Sequence, residues 1–348
     1  MAKFLLTSSL SLLVWLFVPT QAQNSSQRSV DFGTLKYGTN FPKTLLSTKS
    51  VVLVQIKGFD GKGEDWKTYV SEAQSFFKKS GIDAVAYYNL DNVFSGQETT
   101  AAFSRELDKR GVKNLIFLVK ESPSSTRSSV VITTFNEKAT LIDPGQEAWK
   151  TESANLKDAL NQVYRSTANA GLKKSNYLIN DMVEFGALPN IIKSGRFEIF
   201  STDLRIDKLA IPKFENDEAG NEELAKIFEG YPYQYQLTDP SFDVEELKSR
   251  GFRFIVYSLQ MEGYEIKQLL NYEVNDNETD YVTIRRGTDG STSGTLVTIS
   301  VKKPVYKYYI KHLYSNNVFL GDKWDADITW QAALNNHVSN LKEALVKE

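Results

Sequence analysis

The same series of landmarks occurs twice along the chain, and that repetition constrains the fold more than any single motif. An aromatic–glycine pair and then an apolar–proline pair open each series: Tyr37-Gly38 and Phe41-Pro42, then Phe185-Gly186 and Leu188-Pro189. A β-branched or apolar run follows at residues 51–56 and 209–214, then an acidic loop at 60–65 and 215–218. Helix, glycine and strand recur at 66–79, Gly81 and 84–89, and at 222–229, Gly230 and 231–237. A second helix ends in Leu107-Asp108-Lys109-Arg110-Gly111 and again in Leu247-Lys248-Ser249-Arg250-Gly251, with strands behind it at 115–119 and 252–259. Closing helices, expected to start near Trp149 and Trp330, carry Asn155-Leu156-Lys157-Asp158-Ala159-Leu160 and Asn340-Leu341-Lys342-Glu343-Ala344-Leu345.

Gly81, Gly111, Gly230 and Gly251 each stand where a helix stops in a left-handed residue before a strand. Basic residues just before several of them suit the negative helix end. Leu156, Leu160 and Val163, like Leu334, Leu341 and Leu345, recur at helical spacing and give each closing helix one apolar face. The predicted fold class is therefore α/β (α+β): a tandem duplication of a small β-α-β-α-β-β-α unit with mixed sheets. The first copy spans residues 30–165, a small polar linker 166–176, and the second copy 177–348. The distance from the helix-ending glycine to the closing Asn-Leu-Lys is 44 residues in the first copy and 89 in the second. The excess, at about 263–305, reads as a long β-hairpin whose strands 281–284 and 296–301 flank a loose tip at 287–294. The order of elements is similar to that of the small N-terminal domain of TolB-type envelope proteins, a likeness of topology that carries no motif.

Residues 1–22 read as a signal peptide, with Lys3 before an apolar stretch and Thr20-Gln21-Ala22 at the cleavage site. The apolar stretch is shorter than the ~20 residues that span a bilayer, and no later run reaches ~18, so no transmembrane helix is expected in the mature chain. There is no cysteine. That excludes disulfides, cysteine metal sites and a thiol nucleophile. Export without cysteine points to a bacterial envelope, periplasmic or extracellular, since exported eukaryotic proteins of this size usually carry disulfides. Aromatic residues make up 12% of the chain and can fill cores in place of disulfides. A formal net charge of −2 gives no reason to expect a nucleic-acid partner.

Gly58-Phe59-Asp60-Gly61-Lys62-Gly63 sits between a strand and a helix, where phosphate is often cradled. No Lys-Ser/Thr pair follows and its acidic neighbours repel phosphate, so no cofactor is expected. Asp60, Glu64 and Asp65, with Glu215, Asp217 and Glu218 in the second copy, are weak candidates for a hard cation; helix capping is the plainer role. The two histidines are His312 and His337. His337 falls on the apolar face of the last helix and reads as a packed, hydrogen-bonded core residue. In residues 306–314, strand alternation puts Tyr306, Tyr308, Ile310, His312 and Tyr314 on one face. That face reads either as sheet under a helix or as an exposed stripe. Tyr306, Tyr308 and Tyr314, and Gly287, Asp289 and Gly290 at the hairpin tip, are the partner-binding candidates.

The expectation is an exported bacterial envelope protein that acts without catalysis by binding an envelope protein. One alternative is a carboxylate-dependent hydrolase, with or without a metal. Another is a carbohydrate binder using the tyrosine strand, which requires Tyr306, Tyr308 and Tyr314 to be exposed.

Overall fold

The computed structural model describes residues 30–61, 65–275, 277–287 and 294–346. Residues 1–22, expected to be a signal peptide, and Glu64, Asp289 and Gly290 lie outside the described residues. In chain order the first part holds β1 (Lys36–Gly38), β2 (Lys49–Ile56), α1 (Trp66–Tyr69), α2 (Ala73–Ser80), β3 (Asp83–Asn89), α3 (Leu90–Val93), α4 (Gln97–Lys109), β4 (Val112–Lys120), β5 (Ser128–Thr134), β6 (Glu147–Ser153) and α5 (Leu156–Asn169). Two short strands, β7 (Glu184–Phe185) and β8 (Arg196–Phe197), follow in a largely irregular stretch. The second part holds β9 (Lys208–Pro212), α6 (Glu218–Phe228), β10 (Tyr235–Thr238), α7 (Val244–Ser249), β11 (Phe252–Glu262), α8 (Gly263–Leu269), β12 (Asp280–Arg286), β13 (Gly294–Ser300), β14 (Pro304–His312), β15 (Val318–Phe319) and α9 (Trp330–Val346). The class is mixed α/β, with parallel and antiparallel pairs in both large sheets.

The first sheet runs β1-β6-β5-β4-β2-β3-β7 and the second β10-β9-β11-β14-β15-β8. Reversed, the second matches the first from β1 through β3, pair by pair. The outer pair β1/β6 is parallel, as is β8/β15; β6/β5 and β5/β4 are antiparallel, as are β15/β14 and β14/β11; β4/β2 and β2/β3 are parallel, as are β11/β9 and β9/β10. β12 and β13 form a separate two-stranded ribbon, with Ile284 opposite Leu296, where the hairpin was expected.

Burial follows strand alternation. In β2, Val52 and Val54 face Phe77, Leu160 and Val163 of α2 and α5, while Val51 and Leu53 join Phe103 and Leu107 of α4 on the other face. In the second sheet, Leu209, Ile211, Phe254 and Tyr308 pack with Phe228 of α6 and Trp330, Leu334 and Leu341 of α9. The opposite face packs on α8 and the ribbon through Ile255, Tyr309, Ile266 and Tyr281, and it also takes in Ala102 of α4. Helix α4 thus lies between the sheets, with Phe103 towards one and Ala102 towards the other.

Several boundaries differ from expectation. Phe185-Gly186 does not open the second series. Its strand, β7, completes the outer edge of the first sheet beside β3, and β8 is the counterpart of β1. Gly81, Gly111 and Gly251 are left-handed, but Gly230 is not: α6 ends at Phe228 and the chain leaves it without a left-handed turn. Trp149 lies in β6, paired with Ile132, and α5 starts seven residues later under an Asn155 cap. Helix α5 also runs through Asn169, into the stretch expected to be linker.

Candidate functional site

The turn between α3 and α4 presses on β11. Gln260 N donates to Ser95 O at 2.8 Å. A β-carbon at Gly96 would collide with the Ser258 carbonyl oxygen, so only glycine allows this approach. Beside this seam, Lys311 of β14 pairs with Glu98 in the first turn of α4, and Tyr309 donates to the other Glu98 oxygen at 2.9 Å.

A cleft of about 150 Å³ opens along the seam. Its floor is the carboxyl ends of β9 and β11, Ile211 to Glu215 and Val256 to Gln260; one wall is the Phe94–Thr100 turn and the other includes Tyr306 and Tyr308. From β9 the chain crosses to β10 on one side and then to β11 on the other, so the cleft lies where strand order reverses. Open α/β sheets bind ligands at such switch points. The polar groups around it include Ser95, Gln97, Lys213, Glu215, Gln260 and Tyr306. The Ser95 hydroxyl is buried without a partner among the described residues, and burial raises the Tyr306 phenol above its ordinary value. A wider groove of about 430 Å³ runs along α4 and residues 187–190, where Arg110 already pairs with Glu184 at 2.9 Å and Glu106 at 3.1 Å.

No protein family, curated protein or solved structure matches the chain.

The residues singled out in the sequence are distributed as follows. Asp65 caps α1, accepting from Thr68 N at 2.8 Å, and Asp217 caps α6, accepting from Gly220 N at 2.9 Å. Glu218 lies exposed in the first turn of α6 and Asp60 is exposed. Glu215 sits at the cleft. No group of three or more acidic or histidine side chains among the described residues could hold a metal ion. Tyr308 is buried under α9, Tyr306 is half-buried at the cleft, and Tyr314 is exposed next to His312. The continuous exposed tyrosine stripe that a glycan would need is therefore not formed. Gly287 is exposed at the end of β12, where its carbonyl accepts from Asn335 at 3.1 Å.

Two polar clusters lie away from the cleft; His337 is the packed, hydrogen-bonded core residue expected, and its partners are not legible in the sequence. Lys307, Asp325 and His337 are all fully buried; Lys307 Nζ lies 2.6 Å from Asp325 Oδ1, and His337 Nδ1 lies 2.8 Å from Asp325 Oδ2. Burial holds the His337 imidazole below its ordinary pKa, against the pull of Asp325, and its Nε2 has no partner among the described residues that could stabilise a second proton. The Asp325 carboxyl is held low by Lys307 and His337, which together outweigh the upward push of burial. The second cluster is at the seam. Glu265 accepts from Asn92 at 2.7 Å, and Glu262 is pushed up to about 8 by burial and then by Glu265. A lysine in a strand and two glutamates three apart read as surface residues; only the pairing of distant segments buries them.

No helix among the described residues is long and apolar enough to cross a membrane.

Proposed function

We propose that the chain is an exported protein of the bacterial envelope, built from two tandemly duplicated α/β units, that acts without catalysis by binding another envelope protein at the seam cleft. The size of the cleft carries this reading. About 150 Å³ holds one ring-sized group, whereas pockets for drug-sized ligands run to ~300–1,000 Å³. A site of that size, with aromatic and aliphatic walls and a few amide and hydroxyl groups, suits one anchoring side chain of a protein partner. The ribbon adds a second apolar surface nearby in the chain: Val282, Ile284 and Leu296 are exposed.

Filling the cleft tests this. Gln97 lines it and is exposed, so Gln97→Trp places an indole there without disturbing a core. The variant should melt as the wild type does and lose the partner recovered by crosslinking in cells. Undiminished recovery with the cleft filled rules the reading out.

A second reading, a carboxylate-dependent hydrolase, rests on the Glu262 and Glu265 pair, because raised carboxyl pKa values gather at acid–base sites. These side chains do not line the cleft, whose one carboxylate is Glu215. Loss of a hydrolytic activity in Glu262→Gln would support that reading over the first.

A further inference from the structure

Charge is not balanced along the wide groove beside α4. Four cationic side chains line it: Arg105 and Lys109 of α4, Arg110 at the end of that helix, and Lys193 in the stretch that leads to β8. Arg110 is spent on the two carboxylates of the same lining. Its Nε donates to Glu106 at 3.1 Å, and one terminal nitrogen pairs with Glu184 at 2.9 Å. The other donates to the Tyr88 hydroxyl at 3.1 Å, which itself donates to Glu184 at 2.8 Å. Tyr88 is buried, so this network is fixed in place.

With both glutamates held by Arg110, the remaining three cations have no ion pair or hydrogen bond among the described residues. The lining carries a net charge of +2. Arg105 and Lys109 also stand one turn apart on the same face of α4, a spacing at which like charges weaken a helix. The rest of the lining is largely apolar, including Ala187, Leu188 and Pro189. Leu188 packs on cores of both sheets, which puts the groove at their junction. Small-molecule sites favour such junctions, and the groove's volume of about 430 Å³ lies within their usual range of ~300–1,000 Å³.

We propose that this groove binds a small organic dianion, its acid groups held by Arg105, Lys109 and Lys193 and its apolar body lying on Leu188 and Pro189. Charge complementarity selects that occupant. A second copy placed face to face across a two-fold axis would bring +2 against +2. Residues 23–29 of the chain itself hold one arginine and no acid. A peptide backbone finds no ladder along the α4 wall, because the main chain there is bonded within the helix. The groove is separate from the seam cleft, and its test does not depend on that one.

The probe is terephthalate, an aromatic dianion, titrated by calorimetry into the full mature chain. Saturable binding at one site per chain is expected. Benzoate, which lacks the second charge, should bind about fivefold more weakly. Sulfate, which lacks the apolar body, should fail to displace terephthalate at equal concentration. Lys193→Gln and Arg105→Gln each remove one exposed cation, so each should leave the melting curve unchanged and weaken terephthalate about fivefold. The two residues lie on different segments, so either variant reads the site should the other not fold. Absence of saturable binding, sulfate that competes as well as terephthalate itself, or an equal loss in Lys157→Gln, on α5 and outside the groove, would each overturn the proposal.

Discussion

Lys311 of β14 and Glu98 of α4, 213 residues apart in sequence, share an ion pair in the seam between the two sheets, and Tyr309 bonds the same carboxylate at 2.9 Å. Lys311 and Tyr309 are both buried. Removing the carboxylate leaves an ammonium with no counter-charge. Glu98→Ala should therefore destabilise the chain by about 3–5 kcal/mol, read as a lower denaturant midpoint. The apolar pair Glu98→Leu with Lys311→Met should recover most of that loss. A double variant no more stable than the single one would show that the ion pair is not what Lys311 requires.

Gly96 makes the same seam possible through backbone. Its extended conformation suits any residue, so the constraint is contact with the Ser258 carbonyl alone. Gly96→Ala should cost about 1–3 kcal/mol, as overpacking does, and should speed hydrogen exchange at Ser95 and Gln260 ahead of the sheet centres. Uniform exchange changes would mean that the turn and β11 are not locally coupled.

Acid should weaken the fold through His337. Its folded pKa lies below the ordinary value, so between the two values the unfolded chain binds a proton that the folded chain does not. Stability is then full above the ordinary histidine range of about 6.5 and falls as pH drops below it. The low Asp325 pKa acts in the same direction at lower pH. His337→Gln should flatten the decline from roughly pH 6.5 to 5 in denaturant titrations.

The alkaline side has a different origin. Glu262, at the end of β11, faces Glu265 of α8, Lys302, and Asp65 and Lys67 of the first part, and its pKa is raised from 4.5 to about 8. Its protonated form is the one the fold favours. The stability it contributes is present below the ordinary carboxylate pKa and is lost as pH rises towards about 8. Glu262→Gln should be more stable than wild type at pH 8 to 9, by on the order of 1 kcal/mol because solvent still reaches part of the side chain, and no more stable at low pH. Equal stability of the two proteins at every pH would contradict the buried environment.

Local signals were legible in the sequence and distant pairings were not. The Lys-Arg-Gly and Ser-Arg-Gly stops, the apolar runs that form β2, β4 and β11, and the hairpin strands all rest on short-range rules of turn geometry and strand composition. Trp149 looked like a helix start because the Asn155 cap is close behind it. Its pairing with Ile132 in β6 is tertiary. Phe185-Gly186 resembled Tyr37-Gly38 in letters but pairs with Tyr87, a contact that two residues cannot announce. The cleft combines segments near residues 95, 213 and 258, and no local pattern joins them. Of the two readings of the tyrosine strand, sheet under a helix holds for Tyr308, which α9 covers, while Tyr306 stays half-buried and both border the cleft.

Site-specific photo-crosslinking in cells tests the central claim most directly. A photoreactive residue at Lys213, exposed at the cleft, is compared with one at Lys157, exposed on α5 far along the chain. The account predicts a discrete adduct with one envelope protein from position 213, absent from position 157 and lost when Gln97→Trp fills the cleft. Adducts of equal yield at both positions, or an adduct at 213 that persists with the cleft filled, would contradict it.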